Sequence, residues 1–322
     1  MSEKSPATGR KKSKQDIPKK KKIKAVVSKN KKLPLSPREK IKTAYLKAAT
    51  VFVAILIVSA LSLSLFKRYK TDLKANESGT NLIERIAFGD VKVRINNDHF
   101  SHDALKEESC NNELVAYLQK NLKKGDTVIS VTHDTGAYTL LMAKLIQKSG
   151  KVYFYNPSQK YVDAVKAGAA INGFENRIAA FTLGISDHGF DGLLVHKNNF
   201  PDITGKIEQK DYKIPTGYSA VTVKVSSLDG QLPNLQNINL LKINVHEDCS
   251  EIIDGAVNLI KRSEKIAVII NYRKEILSES QVFNKLSALG FKAHRIQADG
   301  SAKPTDLEEI KRSEKCFLLF KK

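Results

Sequence analysis

A regular alternation of strand-type and helix-type patterns between Asn111 and Lys322 constrains the fold more than any other feature. Apolar, β-branched or aromatic runs such as DTVISV and KVYFYN are each followed by a helix-type pattern of about 10 to 15 residues. Strands that alternate with helices of this length form βαβ units, whose sheets are mostly parallel. The sequence therefore predicts an α/β domain over residues 111–322, with its ligand site at the carboxyl ends of the strands.

A long apolar segment precedes this domain. Residues 48–66 carry no charged side chain, and at 1.5 Å per residue they span nearly the ~30 Å of a bilayer's hydrocarbon core. Tyr45 and Tyr69 flank the segment, as interfacial aromatic residues do. The pattern predicts one transmembrane helix over residues 44–66. A cleaved signal peptide is the rival interpretation, and the long charged segment before the apolar run argues against it.

Most of the net charge of +20 lies in the N-terminal tail, since residues 1–42 hold 16 Lys and Arg and only three acids. Like charges and few large apolar groups predict that residues 1–43 are disordered. Positive charge favours the cytoplasmic side, so we expect a single-pass protein with a cytoplasmic N-terminus. The C-terminal domain would then be periplasmic, lumenal or extracellular. Residues 67–110 are predicted to form a stalk leading into the domain, with a short strand at 91–95.

The tail also indicates a class of partner. Next to a membrane, residues 1–43 are expected to attract anionic lipid headgroups, at about 1 kcal/mol per Lys near the surface. A nucleic-acid partner is disfavoured, because the tail has no interleaved aromatic residues and no nucleic-acid-binding fold accompanies it.

From about Glu113 onwards the chain resembles the FkbM-type S-adenosylmethionine (SAM)-dependent methyltransferases. The resemblance lies in the order of VISVTHDTGAYT, FYNP, KINVHEDCSEIIDGA and AVIIN. It implies a Rossmann-like methyltransferase fold with SAM as the cofactor. The positions that would line the cofactor site are Ser130, Thr132, Asp134, Gly136, Asn156, Asn244 and His246.

The chain departs from the family pattern at its polar positions. Thr132 stands where the family has its first glycine, and a β-branched side chain there would obstruct a closely approaching cofactor. The places where the family has acids are occupied here by Ser130, Asn156, Asn244, His246 and Asn271. Because the apolar framework persists while these positions have changed, we expect an impaired or lost SAM site. The resulting hypothesis is a pseudoenzyme that binds or scaffolds a protein or glycan partner.

Other interpretations stay open from sequence alone. The domain could be an active SAM-dependent O-methyltransferase acting on a sugar or lipid-linked hydroxyl, which requires a cytoplasmic domain because SAM is made there. It could also be a passive domain on a tether whose basic tail binds anionic lipid or nucleic acid. A divalent metal site at His133, Asp134, His246 and Glu247 is a further candidate, weighed against the simpler view that these are solvated loop residues. The three cysteines have no zinc-type spacing.

Overall fold

The computed structural model describes residues 82–198, 205–245, 248–277 and 281–322. The predicted tail (1–43) and transmembrane helix (44–66) lie outside these ranges. Within them, no helix is both long and apolar enough to cross a bilayer.

The strands follow the predicted β-branched and aromatic runs and add several that the sequence did not indicate. In chain order they are β1 (Leu82–Ala87), β2 (Val91–Asn96), β3 (Thr127–Thr132), β4 (Lys151–Asn156), β5 (Ile178–Thr182), β6 (Gly184–Ile185), β7 (Phe190–Lys197), β8 (Lys206–Gln209), β9 (Tyr218–Ser226), β10 (Leu240–Asn244), β11 (Ala267–Arg273), β12 (Lys292–Ile296), β13 (Ala302–Pro304) and β14 (Lys315–Lys321).

The helices connect these strands and cover both faces of the sheet. In chain order they are α1 (His99–Cys110), α2 (Asn112–Asn121), α3 (Ala137–Leu145), α4 (Gln159–Asn172), α5 (Leu228–Gln231), α6 (Ser250–Asp254), α7 (Val257–Arg262), α8 (Lys274–Leu277), α9 (Val282–Ala288) and α10 (Leu307–Lys311).

The central sheet has the order β13-β12-β14-β11-β10-β3-β4-β5. Strands β5, β4, β3, β10 and β11 pair in parallel, whereas β14 is inserted antiparallel between β11 and β12. The prediction of a mostly parallel α/β sheet is confirmed. The strand order reverses between β3 and β10, so the crevice expected to bind ligands lies at their carboxyl ends.

Two apolar cores lie on opposite faces of this sheet, because successive side chains of a strand point to opposite faces. Ile129 and Val131 of β3 pack into one core with α6, α7 and α9. Val128 packs into the other with α2, α3 and α4. Strands buried on both faces explain why the parallel strands read as nearly continuous apolar runs.

Residues 82–110 pack against this domain. The predicted strand at 91–95 is β2, and it pairs antiparallel with β1, which the sequence did not indicate. The Asn172 side chain of α4 bonds both the backbone N–H and the backbone C=O of Lys92. Helix α1 runs from this hairpin to the carboxyl ends of the parallel strands. The predicted division at residue 110 between stalk and domain stays a prediction.

Two local features differ from the sequence expectation. The connection from β5 to β10 forms a second, four-stranded sheet in the order β6-β9-β7-β8, which the alternating pattern did not indicate. The helix-type pattern SEIIDGAVNLIKRS, residues 250–263, forms two helices, α6 and α7, which are divided at Gly255. A side chain at Gly255 would overlap the carbonyl oxygen of Ser186, so this glycine allows the helix pair to pack closely against the neighbouring sheet.

Candidate functional site

The candidate site lies at the switch in strand order, where polar residues follow β3, β10 and β11. Helix α1 covers this end of the sheet. A cavity of about 210 Å³ lies between α1 and the strand ends. The residues that decide its chemistry are Glu108, Asp134, Asn244, Asn271 and Arg273.

The backbone donors of the loop between β3 and α3 are bonded within the protein. The Thr132 hydroxyl oxygen accepts the Asp134 N–H at 3.1 Å, and an Asp134 carboxylate oxygen accepts the Gly136 N–H at 2.8 Å. Gly136 has φ +79°, and a side chain on it would overlap Val165 of α4. Gly136 therefore serves helix packing. The N–H groups of Asp134 and Gly136 are bonded within the loop, and that of Thr135 donates to Glu108 of α1.

A buried ion pair joins this loop to β10. The Lys242 Nζ lies 3.1 Å from Asp134 Oδ2, and the two side chains are 1% and 8% exposed. Asn244 Nδ2 donates to the same carboxylate oxygen at 2.8 Å. Burial alone would raise the pKa of Asp134, but the Lys242 charge and the hydrogen bonds hold it below its ordinary value. Asp134 is therefore ionised, and Lys242 also lies 5.1 Å above the Tyr138 ring.

A second buried carboxyl group comes from α1. Glu108 accepts the Thr135 N–H at 3.1 Å, and the Thr135 hydroxyl lies 3.0 and 2.9 Å from its two oxygens. The Tyr138 hydroxyl donates to the Glu108 backbone carbonyl at 2.8 Å. Burial, followed by the nearby Asp134 charge, raises the pKa of Glu108 to about 8. At neutral pH the site thus holds one ionised and one protonated carboxyl group.

A chain of amides extends from Asp134 to β11. Asn271 Nδ2 donates to Asn244 Oδ1 at 2.7 Å, and Asn244 in turn donates to Asp134. Asn271 is 6% exposed and lines the cavity. Its Oδ1 atom has no hydrogen-bond donor among the described residues.

The structure brings some of the predicted site residues together and keeps others apart. The loop and amide network described above contains four of them: Thr132, Asp134, Gly136 and Asn244. Ser130 is fully buried, and its hydroxyl accepts the Thr139 hydroxyl at 3.2 Å, beneath the loop. Asn156 closes a turn by accepting the Ser158 N–H at 2.8 Å; it is 1% exposed and does not line the cavity.

The metal candidates are only partly described. His133 and Asp134 both line the cavity, while His246 and Glu247 lie outside the described residues. In the described part of the chain, no three His, Cys, Asp or Glu side chains are grouped so that they could hold a metal ion.

Sequence reasoning missed Glu108 and Lys242. Lys242 carried a usable signal, because a lysine inside the apolar run LLKIN of a buried strand needs a charged partner. Glu108 carried none, since it lies on a helix outside the predicted α/β region and meets Thr135 only through the tertiary fold.

No protein-family model matches the chain, and no curated protein matches it. Among solved structures, the chain is similar to a SAM-dependent O-methyltransferase from Thermotoga maritima. The two sequences are 14% identical, the match covers 76% of this chain and 77% of that chain, and the TM-score is 0.37. A SAM-dependent methyltransferase from Aquifex aeolicus is 14% identical, and the match covers 69% of this chain and 97% of that chain, with a TM-score of 0.35. Fibrillarin from Aeropyrum pernix, solved with natively bound SAM, is 12% identical. The match covers 66% of this chain and 76% of that chain, with a TM-score of 0.34.

Likenesses this weak carry no argument about activity. The fold rests on the strand order itself. The order of the parallel strands reverses between β3 and β10, and the last long strand, β14, lies antiparallel between β11 and β12. The domain has a Rossmann-like methyltransferase fold.

Proposed function

We propose that this chain is a membrane-anchored relative of the FkbM-type methyltransferases that no longer uses SAM and acts as a binding module. The observation that carries the proposal is the network around Asp134. The loop that should approach the cofactor directs its Gly136 N–H to Asp134 and its Thr135 N–H to Glu108. Asp134 is itself held by Lys242 and Asn244. The donor groups of this end of the sheet serve the protein's own side chains.

The position expected to bind the cofactor's ribose supports the same proposal. A carboxylate there would accept two hydrogen bonds from the ribose diol. This chain has Asn156, which is uncharged and buried, and which uses its amide oxygen to bind Ser158. A diol could bind only if this buried side chain became accessible.

The membrane part of the proposal rests on the sequence. The uncharged segment 48–66 has the length of a bilayer span, and the basic tail 1–43 favours a cytoplasmic N-terminus with anionic lipid headgroups as partners. The folded domain would then lie on the opposite side. Labelling can test this, because Cys110 is exposed whereas Cys249 and Cys316 are buried. In sealed cytoplasmic-side-in vesicles, a membrane-impermeant maleimide should label Cys110 without lysis.

The decisive experiment is calorimetric titration of SAM into the full-length chain in detergent, with cooperative thermal unfolding as proof of folding. We expect no binding. Micromolar binding that is weakened by Asn156→Ala, but not by Asn176→Ala at an exposed position, would overturn the proposal. A methyl acceptor among sugar or lipid-linked hydroxyls should then be sought, with the domain facing the cytoplasm.

A further inference from the structure

The loops that lead into the strands of the central sheet form a basic surface. They lie at the amino ends of the parallel strands and of β12, and β14 ends beside them because it runs antiparallel to β11 and β12. This surface, the amino-end face, lies at the opposite end of the strands from the candidate site. It comprises residues 122–126, 146–151, 173–177, 232–239, 263–266, 289–292 and 321–322.

Most of the net charge of the folded domain lies on this face. The amino-end face holds nine Lys and Arg and three acids, whereas the whole described part of the chain holds 33 and 26. The face therefore carries six of the seven net positive charges. Six of its basic side chains are exposed: Lys123, Lys124, Lys148, Lys265, Lys292 and Lys322.

The positive charges of the amino-end face are not neutralised by neighbours. Among the described residues, none of its nine basic side chains forms an ion pair with an acid, whereas twelve of the other 24 Lys and Arg side chains do. The Nζ atoms of Lys151 and Lys322 donate instead to the carbonyl oxygens of Asn176 and Ile260, at 3.2 and 3.0 Å. A carbonyl oxygen leaves the lysine charge in place, so it can attract an anionic partner.

The apolar residues of the same loops point into the domain. Ile146, Phe174, Ile266 and Phe291 are buried, and none of the large exposed apolar side chains of the described chain belongs to this face. Tight protein interfaces depend on aromatic and Arg anchors, and single-stranded nucleic acids stack on exposed aromatic rings. A face of lysines without such anchors suits phosphate groups whose positions are not fixed, as in a bilayer.

The width of the face favours an extended partner over a small anion. Seven neighbouring strands, from β5 to β12, contribute to it, and at ~4.8 Å per strand it is about 29 Å wide. A single phosphate group would contact few of these charges, whereas an anionic bilayer surface can contact all of them. The proposed anchor keeps such a surface within reach, because the 15 residues 67–81 extend to at most ~50 Å.

We propose that the amino-end face docks on the anionic lipid headgroups of the membrane in which the chain is anchored. The inference rests on the membrane part of the proposed function and does not depend on the loss of SAM. Docking in this orientation turns the candidate site, at the carboxyl ends of the strands, away from the bilayer.

Site-resolved lysine methylation tests this inference on the full-length chain. The chain is placed in nanodiscs of phosphatidylcholine alone or mixed with phosphatidylglycerol, treated with formaldehyde and a reductant, and analysed by mass spectrometry. In the anionic discs, methylation of Lys124, Lys265 and Lys292 should slow by at least about fivefold, the effect of one lysine near an anionic surface on association. High salt should remove the difference. Lys213 and Lys303, which are exposed outside the face, should react equally in both discs.

Charge-reversal variants show whether the face itself causes the protection. Lys123→Glu with Lys148→Glu should restore the methylation rate of Lys292 in anionic discs, whereas the matched control Lys213→Glu with Lys303→Glu should leave Lys292 protected. All four positions are exposed, and cooperative thermal unfolding checks that both variants are folded.

Equal methylation of the face in the two kinds of disc, or protection that persists in the charge-reversed face, would overturn the inference. Protection by duplex DNA in phosphatidylcholine discs, without protection by phosphatidylglycerol, would overturn it in favour of a nucleic-acid partner. Elution of the chain with the disc reports separately on membrane anchoring, so an anchored chain with an unprotected face refutes the inference alone.

Discussion

Replacing Glu108 with Gln tests the protonation state of the site. The pKa of Glu108 is raised from its ordinary value of 4.5 to about 8, so the folded chain keeps a proton that the unfolded chain releases. The contribution of this proton to the free energy of unfolding is complete below pH 4.5 and is lost as the pH rises to about 8. At about 1.4 kcal/mol per pH unit the ceiling is about 5 kcal/mol, and relaxation around the buried group should reduce it to about 2–3 kcal/mol.

Glutamine retains the oxygen that accepts the Thr135 N–H and does not titrate. The difference in free energy of unfolding between wild type and Glu108→Gln should therefore change by about 2–3 kcal/mol between about pH 5 and pH 8, with wild type losing stability. Urea unfolding followed by far-UV circular dichroism at several pH values measures this difference. Glu175→Gln, at an exposed position, is the control and should give a flat difference. If the difference in free energy of unfolding between wild type and Glu108→Gln also did not change with pH, the assignment of a protonated carboxyl group would be refuted.

Other predictions concern packing, charge and the tail. Lys242→Met should cost about 3–5 kcal/mol of stability by leaving Asp134 buried without its counter-charge, and adding Asp134→Asn should recover much of that loss in a double-mutant cycle. Gly255→Ala should destabilise by more than about 2 kcal/mol, whereas Gly189→Ala, which has room for a side chain, should change stability little in the same urea assay. A peptide of residues 1–43 should co-sediment with phosphatidylserine vesicles at low salt only; equal binding to neutral vesicles would contradict its proposed lipid preference.

The parallel part of the fold could be predicted because strands buried on both faces leave a strong local signal. The strands and helices from β3 to α4 and the strands β10 and β11 follow that signal, and the buried antiparallel strand β14 carries it as well. The four-stranded β6-β9-β7-β8 sheet could not be anticipated in this way. Its core is small, with Leu194, Val223 and Val225 as its buried members, and much of β9 is exposed, so its sequence lacks a buried run.

The candidate site was predictable in its location and only partly in its chemistry. The resemblance identified Asn244 and Asn271 as departures from acids, and the structure brings these two amides together. It could not show that Asp134 turns back to bind Lys242 and its own loop, because that contact joins residues 108 positions apart. Whether a polar side chain faces a ligand or a neighbour depends on such distant partners, which local patterns do not record.

Hydrogen–deuterium exchange of the β3–α3 loop, with and without SAM, tests the central claim most directly. The amides of Thr135 and Gly136 bind Glu108 and Asp134 within the protein. They should exchange slowly in the free full-length chain and be unaffected by SAM, while the exposed segment 213–216 exchanges rapidly in both conditions. Rapid exchange of the loop that becomes slow when SAM is added would show that the loop still serves the cofactor, and would contradict the claim.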